Sequence, residues 1–277
     1  MGYIIQAMTL DVAISTHGTA GLDRVAAILL PQQPGVRYVV SWQAHADTPL
    51  PSAITAREDV EVYRTDTIGL SLNRNNALDH CRADVVLIAD NDVTFCKDAF
   101  SHIMNAFRRY PELDLGTFVV RQSVQRTLPA TEVPLGRRLP KGYYVCSVEI
   151  ALRRKSAGQL RFCPEFGLGA PRLHSGEDPL FLATAIRRGM NCRFFPIEIG
   201  EHPHASTGEG RQTPGTLAAE GAVIALTAPA TAILRLPLKA LRLWRGGQAA
   251  FFPALRHLFR GALMAPALHR RHRDTLL

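Results

Sequence analysis

From residue 10 onward, short apolar runs alternate with segments in which apolar positions recur every three or four residues. Residues 11–16, 36–42, 59–63, 85–89, 115–121, 145–152 and 192–199 predict strands. Between them, Leu22, Val25, Ala26 and Leu29 recur at helical spacing and residues 71–80 predict a second helix. Phe100, Ile103, Met104 and Phe107 form one apolar stripe behind Asp98, which can cap that helix. Asp178 followed by Pro179 predicts another helix start, with 180–188 as its body and Gly189 as its stop. The alternation is that of an α/β fold with a mostly parallel central sheet flanked by helices. After residue 215 the strands cease and the pattern becomes helical and rich in Ala, Leu and Arg, so residues 1–210 predict one α/β domain and 211–277 a helical extension. The stretch holding Pro129, Pro134, Gly136 and Pro140 predicts a long loop, and a loop of that length within such a domain is usually functional or mobile.

Charge divides the chain more sharply than composition does. The net charge of +8 lies in the last quarter, because residues 1–210 hold 22 Lys and Arg against 22 Asp and Glu, whereas 211–277 hold 10 against 2. The five cysteines, Cys81, Cys96, Cys146, Cys163 and Cys192, are odd in number and have no close pair, which argues against a disulfide framework and a zinc site and for a reducing compartment. The first ten residues lack the basic and apolar regions of a secretory signal. The longest weakly polar run, 221–234, is broken by Pro229 and predicts a packed or surface-lying helix rather than a membrane span.

Candidate chemistry collects where strands are predicted to end. The buried-strand run 85–89 stops at Asp90-Asn91-Asp92, whose two carboxylates share one side if strand geometry persists and could hold a divalent cation and, through it, a diphosphate. Gly176-Glu177-Asp178 and His202-Pro203-His204 follow later segments. Gly69-Leu70-Ser71-Leu72-Asn73-Arg74-Asn75 has the composition of a loop and helix start facing a nucleotide. Asp178 is explained by its cap, whereas Glu177 is not needed there.

In this order the motifs resemble those of the family 2 glycosyltransferases with the GT-A fold, over about residues 10–210. The resemblance implies an inverting, metal-dependent transfer of a sugar, of the hexosyltransferase type, from a nucleotide-diphosphate sugar to a hydroxyl of a glycan or lipid-linked acceptor, as in polysaccharide biosynthesis, with Mn or Mg bound. It implies Asp92 as metal ligand, Asp90 as a contact to ribose or an aid to the metal, and Asp178 as catalytic base, with Glu177 orienting it or binding acceptor. It also implies Thr16, Asn73 and Arg74 as nucleotide-facing residues, and a histidine contacting metal or diphosphate, assigned to His204 with His202 as the alternative because Pro203 makes the two diverge. Residues 166–170 resemble the family's acceptor-side loop. The sequence departs from the family where Ser41-Trp42-Gln43 replaces the acidic residues that help hold the base; Asp59 is a candidate substitute, with a plain surface residue at the strand start as the alternative. Two alternatives remain: a haloacid dehalogenase type phosphatase with Asp90 as nucleophile, which residues 88–94 also resemble, and a non-catalytic scaffold that keeps the fold.

The tail has its own pattern. Arg235, Lys239, Arg242 and Arg245 alternate with Leu234, Leu238, Leu241 and Trp244, and Arg256 and Arg260 lie among Leu255, Leu258, Phe259 and Leu263. Basic helices with this interleaving predict contact of residues 233–263 with an anionic membrane surface, or packing on the domain. Nucleic acid is disfavoured, because leucines rather than stacking aromatics separate the basic positions. A cytoplasmic protein, peripheral on the inner membrane face, is the expected placement.

Overall fold

The computed structural model describes residues 8–44, 47–122, 126–202 and 212–276. Its contacts divide the chain into two units, one within 1–67, 73–159 and 189–204, the other within 68–72, 160–188 and 205–277. Residues 160–188 thus group with the C-terminal helices, although the sequence suggested a boundary near 210. The physical reason is burial: Cys163, Phe166, Leu173 and Leu180 share one apolar cluster with Ala218, Ala219, Ala222, Ala265 and Leu268.

The first unit is an α/β sheet. Its strands are β1 (Leu10–His17), β2 (Val36–Gln43), β3 (Val60–Thr65), β4 (Val85–Asp90), β5 (Thr94–Phe95), β6 (Leu115–Gln122), β7 (Val133–Leu135), β8 (Ile150–Arg153) and β9 (Cys192–His202). The order is β3-β2-β1-β4-β8-β6-β9-β5, with β7 paired to β9. The long ladders β3-β2-β1-β4 and β6-β9 are parallel, and the short strands β5, β7 and β8 join antiparallel. Helices α1 (Gly21–Ile28), α2 (Ser52–Thr55), α4 (Ala99–Arg109) and α5 (Arg154–Ala157) belong to this unit, and α3 (Leu70–His80) runs into it. On one face Val12, Ile14, Leu87, Phe100 and Phe107 enter the main core, and on the other Ala13, Val39 and Val86 pack with Ala77. Burial on both faces is why β1 and β4 read as continuous apolar runs.

Three sequence expectations change. Asp98 stands at the N-cap of α4 but its side chain makes no capping bond; Ser101 Oγ donates to the Asp98 carbonyl instead, at 2.8 Å. The strand expected over 145–152 shrinks to β8, because residues Ser147–Glu149 form a 3-10 turn that points Glu149 inward. There burial pushes the Glu149 carboxyl up, opposed by the hydrogen bond from Arg126, its buried ion-pair partner. The expected loop over 129–140 contains β7.

The second unit consists of α6 (Glu177–Arg187), α7 (Pro214–Thr227), α8 (Ala232–Arg245) and α9 (Phe251–Arg271) with the segments 68–72 and 160–176. α7 starts as capping rules require, with Thr213 Oγ1 accepting from the Thr216 N–H at 3.2 Å and Pro214 at the first helical position. α7 and α9 cross at two glycines. A Cβ on Gly221 would stand 1.9 Å from the Leu258 carbonyl oxygen, and one on Gly261 1.7 Å from that of Ala218. No side chain fits between the two backbones. Gly261→Ala should therefore force the helices apart and destabilise this unit by about 1–3 kcal/mol, as overpacking does; urea unfolding followed by Trp244 fluorescence checks it.

Candidate active site

In the first unit the polar groups sit at the C-terminal ends of β1 and β4, where parallel sheets leave room for ligands. β1 and β4 run in register with Ser15 opposite Asp90. Arg74, whose side chain is only 3% exposed, holds Asp90 with one guanidinium nitrogen, 3.1 Å from Oδ1 and 3.0 Å from Oδ2. Arg74 thus fixes the orientation of Asp90. Asn73 is buried and donates to the Thr16 carbonyl at 2.8 Å, and Asn91 Nδ2 donates to Thr16 Oγ1 at 2.6 Å. A Cβ on Gly21 would stand 2.3 Å from Thr16 Oγ1, so only glycine lets α1 begin over that hydroxyl. Thr16, Asn73, Arg74 and Asp90, far apart in sequence, form one connected polar set.

Asp92 is reached from a strand more than a hundred residues later. β5 pairs with β9 so that Thr94 faces Glu201, and this register brings His202 Nε2 to 3.1 Å from Asp92 Oδ1. Both are partly open, with side-chain exposures of 15% for His202 and 27% for Asp92. Gly200 permits the approach, since a Cβ there would be 2.4 Å from the Thr94 carbonyl oxygen. His204, the histidine favoured from sequence, lies outside the described residues; the structure brings its alternative, His202, to Asp92. Among the described residues no group of three or more His, Cys, Asp or Glu side chains could hold a metal ion by itself.

The second unit holds Glu177 and Asp178. The expectation that Asp178 caps α6 is not met: the helix begins at Glu177, the N-cap position is Gly176 with φ +91°, and no side chain caps it. A left-handed glycine turns the chain one step earlier than an Asp cap would, and a Cβ on Gly176 would be 2.7 Å from Val223 Cγ2. Both carboxylates therefore lie in the first turn of α6, at the positive end of its dipole. Segment 166–170 closes on segment 69–71: the Leu70 N–H donates to the Leu168 carbonyl at 2.8 Å and Ser71 Oγ to the Phe166 carbonyl at 2.6 Å. At Gly167, φ is +104° and a Cβ would be 3.1 Å from the Glu177 carboxyl carbon. Ser71, one of the motif residues, thus anchors a loop.

The candidates for base recognition are occupied. Trp42 is buried and its indole N–H donates to the Gly18 carbonyl at 2.8 Å. Asp59 receives two 2.7 Å hydrogen bonds from Arg57, which hold its carboxyl below the usual range. His202 is the histidine kept from the sequence as the alternative to His204, and the signal for its contact with Asp92 was the length of β9, which runs on to His202 rather than ending near residue 199. If Gly200 is what lets β5 pair, Gly200→Ala should raise hydrogen exchange at the Cys96 amide, which donates to the Ile199 carbonyl at 2.9 Å. An increase of about tenfold or more, with the amides of β1 and β4 unaffected, is expected from local loss of this pairing.

Residues 48–157 match the glycosyl transferase family 2 pattern, a span that includes Arg74 and Asp90-Asn91-Asp92. No curated protein matches the chain. Among solved structures, TarS of S. aureus, residues 1–349, in complex with UDP-GlcNAc is 17% identical, covering 96% of this chain and 88% of that one with a TM-score of 0.61. The same TarS fragment in complex with UDP is 16% identical, with the same coverages and a TM-score of 0.62. A third TarS structure of those residues is 15% identical, covering 94% and 92%, with a TM-score of 0.60. The fold, a central sheet flanked by helices, is that of these GT-A structures. Residues 48–157 thus carry the match to glycosyl transferase family 2, and the chain as a whole has the fold of the TarS structures.

Proposed function

We propose that the chain is an inverting glycosyltransferase that moves a hexose from a nucleotide-diphosphate sugar to a hydroxyl of a glycan or lipid-linked acceptor, as in polysaccharide biosynthesis. The observation that carries this is the 3.1 Å contact of Asp92 with His202 beside the Arg74-held Asp90, within and next to the family-matched span. A uridine diphosphate sugar is the first donor to test, since the TarS structures were solved with UDP-GlcNAc and UDP.

The donor set suits Mn or Mg. One carboxylate and one imidazole, without a third protein ligand among the described residues, match an ion that takes its remaining ligands from substrate phosphates and water. Asp92 and His202 would hold it, His204 remaining the other histidine of the motif, and the bound ion would neutralise charge on the diphosphate. Asp90, kept in place by Arg74, would accept a hydrogen bond from the ribose, and Thr16 and Asn73 shape the floor on which the nucleotide lies. Asp178 takes the proton of the acceptor hydroxyl as that oxygen attacks the anomeric carbon, and Glu177 orients Asp178 or binds acceptor. Single displacement of this kind forms no covalent bond to the protein and inverts the anomeric centre. The acceptor class and a cytoplasmic workplace on the inner membrane face are part of this proposal, with residues 233–263 as the membrane contact.

The test is incubation with a panel of nucleotide sugars and Mn, scoring nucleotide release. Asp92→Ala should abolish Mn-dependent binding of the sugar nucleotide; undiminished affinity by calorimetry would remove Asp92 from the metal site. Asp178→Asn, which leaves no cap to lose, should give a folded protein with normal donor affinity and turnover lowered by about a hundredfold or more, the usual worth of a general base. Near-normal turnover would assign the base elsewhere.

A further inference from the structure

In α8 the buried residues are Leu236, Ala240 and Leu243, and in α9 Ala254, Leu258, Gly261, Ala265 and Leu268. At about 100° per residue, positions two residues earlier point nearly the opposite way. In a helix lying on a solvated protein surface those positions would be charged. Here they are Leu234, Leu238 and Leu241 on α8, and Phe252, Arg256, Phe259, Leu263 and Pro266 on α9. Exposure reaches 68% at Leu234, 54% at Leu238, 78% at Phe252 and 80% at Leu263, with Ile233 and Trp244 also exposed. Each helix thus carries large apolar residues on its outward side as well, and Leu234, Leu238, Phe252 and Leu263 there are uncovered.

The charges beside this uncovered side have one sign. Between Glu220 and Asp274 the sequence contains no carboxylate, against nine Lys and Arg. Lys239 is spent on an ion pair with Glu220, so the four-residue basic stripe read from the sequence loses one member. Arg235, Arg242, Arg245, Arg256 and Arg260 remain exposed. Arg260 also lines, with Arg172, His174 and Met264, a cavity of about 190 Å³, which carries the positive rim beyond α9. Among the described residues no single helix is long and apolar enough to cross a membrane.

We propose that the outward side of α8 and α9 is a docking surface for an anionic phospholipid bilayer, with Leu234, Leu238, Trp244, Phe252 and Leu263 entering the interface and the arginines meeting lipid phosphates. This deepens the membrane placement proposed above and rests on it, while standing apart from the chemistry of transfer. Charge complementarity selects the occupant. A second copy of the chain would bring the same positive surface against this one, and a nucleic acid would leave the leucines and phenylalanines unburied. Apolar side chains framed by arginines fit the boundary between headgroups and acyl chains.

The full-length protein is floated with vesicles of phosphatidylcholine alone or with one third phosphatidylglycerol. Binding to the anionic vesicles is expected, falling by about tenfold or more between 50 and 500 mM salt as screening removes the arginine contribution. Leu234→Gln with Leu238→Gln, both at exposed positions, should lower binding about tenfold without changing the unfolding temperature. Arg242→Gln with Arg245→Gln should remove the preference for anionic over neutral vesicles. Absence of binding to anionic vesicles at 50 mM salt, or binding unchanged in the leucine variant, overturns the proposal. So does a concentration-dependent dimer abolished by the leucine substitutions in the absence of vesicle binding. Nucleotide release with a soluble acceptor is measured in parallel, so that loss of vesicle binding and loss of glycosyl transfer are told apart.

Discussion

The constraint on which the sheet unit depends is the burial of β1 and β4 on both faces. A strand with packed groups above and below cannot carry a charged side chain along its length, because an unpaired charge there costs several kcal/mol. Polar groups are displaced to the ends, and parallel pairing brings the ends of neighbouring strands to the same level. Thr16 at the end of β1 and Asp90 at the end of β4 are therefore neighbours by construction. Arg74 and Asn73 complete the set because α3 lays its polar residues against these ends, where Arg74 supplies the charge that a half-buried Asp90 requires. The exception within the strands is Asp11, and it is fully compensated: Arg37, opposite it on β2, binds both carboxylate oxygens, at 2.9 and 2.7 Å.

Local patterns made much of this legible in the sequence. The apolar run before Asp90 located β4 to within a residue, and the stripe of Phe100, Ile103 and Phe107 located α4. Gly189, expected to stop α6, follows its C-cap with φ +76°. Contacts between distant segments were not legible. Nothing near Glu149 announces Arg126, so the strand was read too long; nothing near Asp92 announces that β9 continues past a glycine to deliver His202. Asp178 followed by Pro179 satisfied a capping rule, yet packing of Gly176 against Val223 set the start of α6 instead, a case of tertiary contacts overriding local propensity.

The two units place their demands on different residues. The sheet unit relies on ion pairs and hydrogen bonds to hold polar groups at strand ends, and its glycines at positions 21 and 200 make room for those contacts. The helical unit relies on close approach of backbones, with glycines at the crossing of α7 and α9 and again where segments 69–71 and 166–170 meet. Glu177 rests against one of these meeting points. Its position is thus constrained by backbone conformation, and small steric changes in the glycine segments would move it.

The second unit is discontinuous in the chain, and this has a consequence for synthesis. Its middle segment, 160–188, reaches its partners only when α7 and α9 exist, since Phe166 and Leu180 bury against Ala219, Leu268 and Leu276. A ribosome making this protein completes every strand of the sheet before the last helix emerges. The carboxylates of α6 therefore gain their helical support only after the strand ends are in place, so the proposed base is fixed later in synthesis than the groups around Asp90.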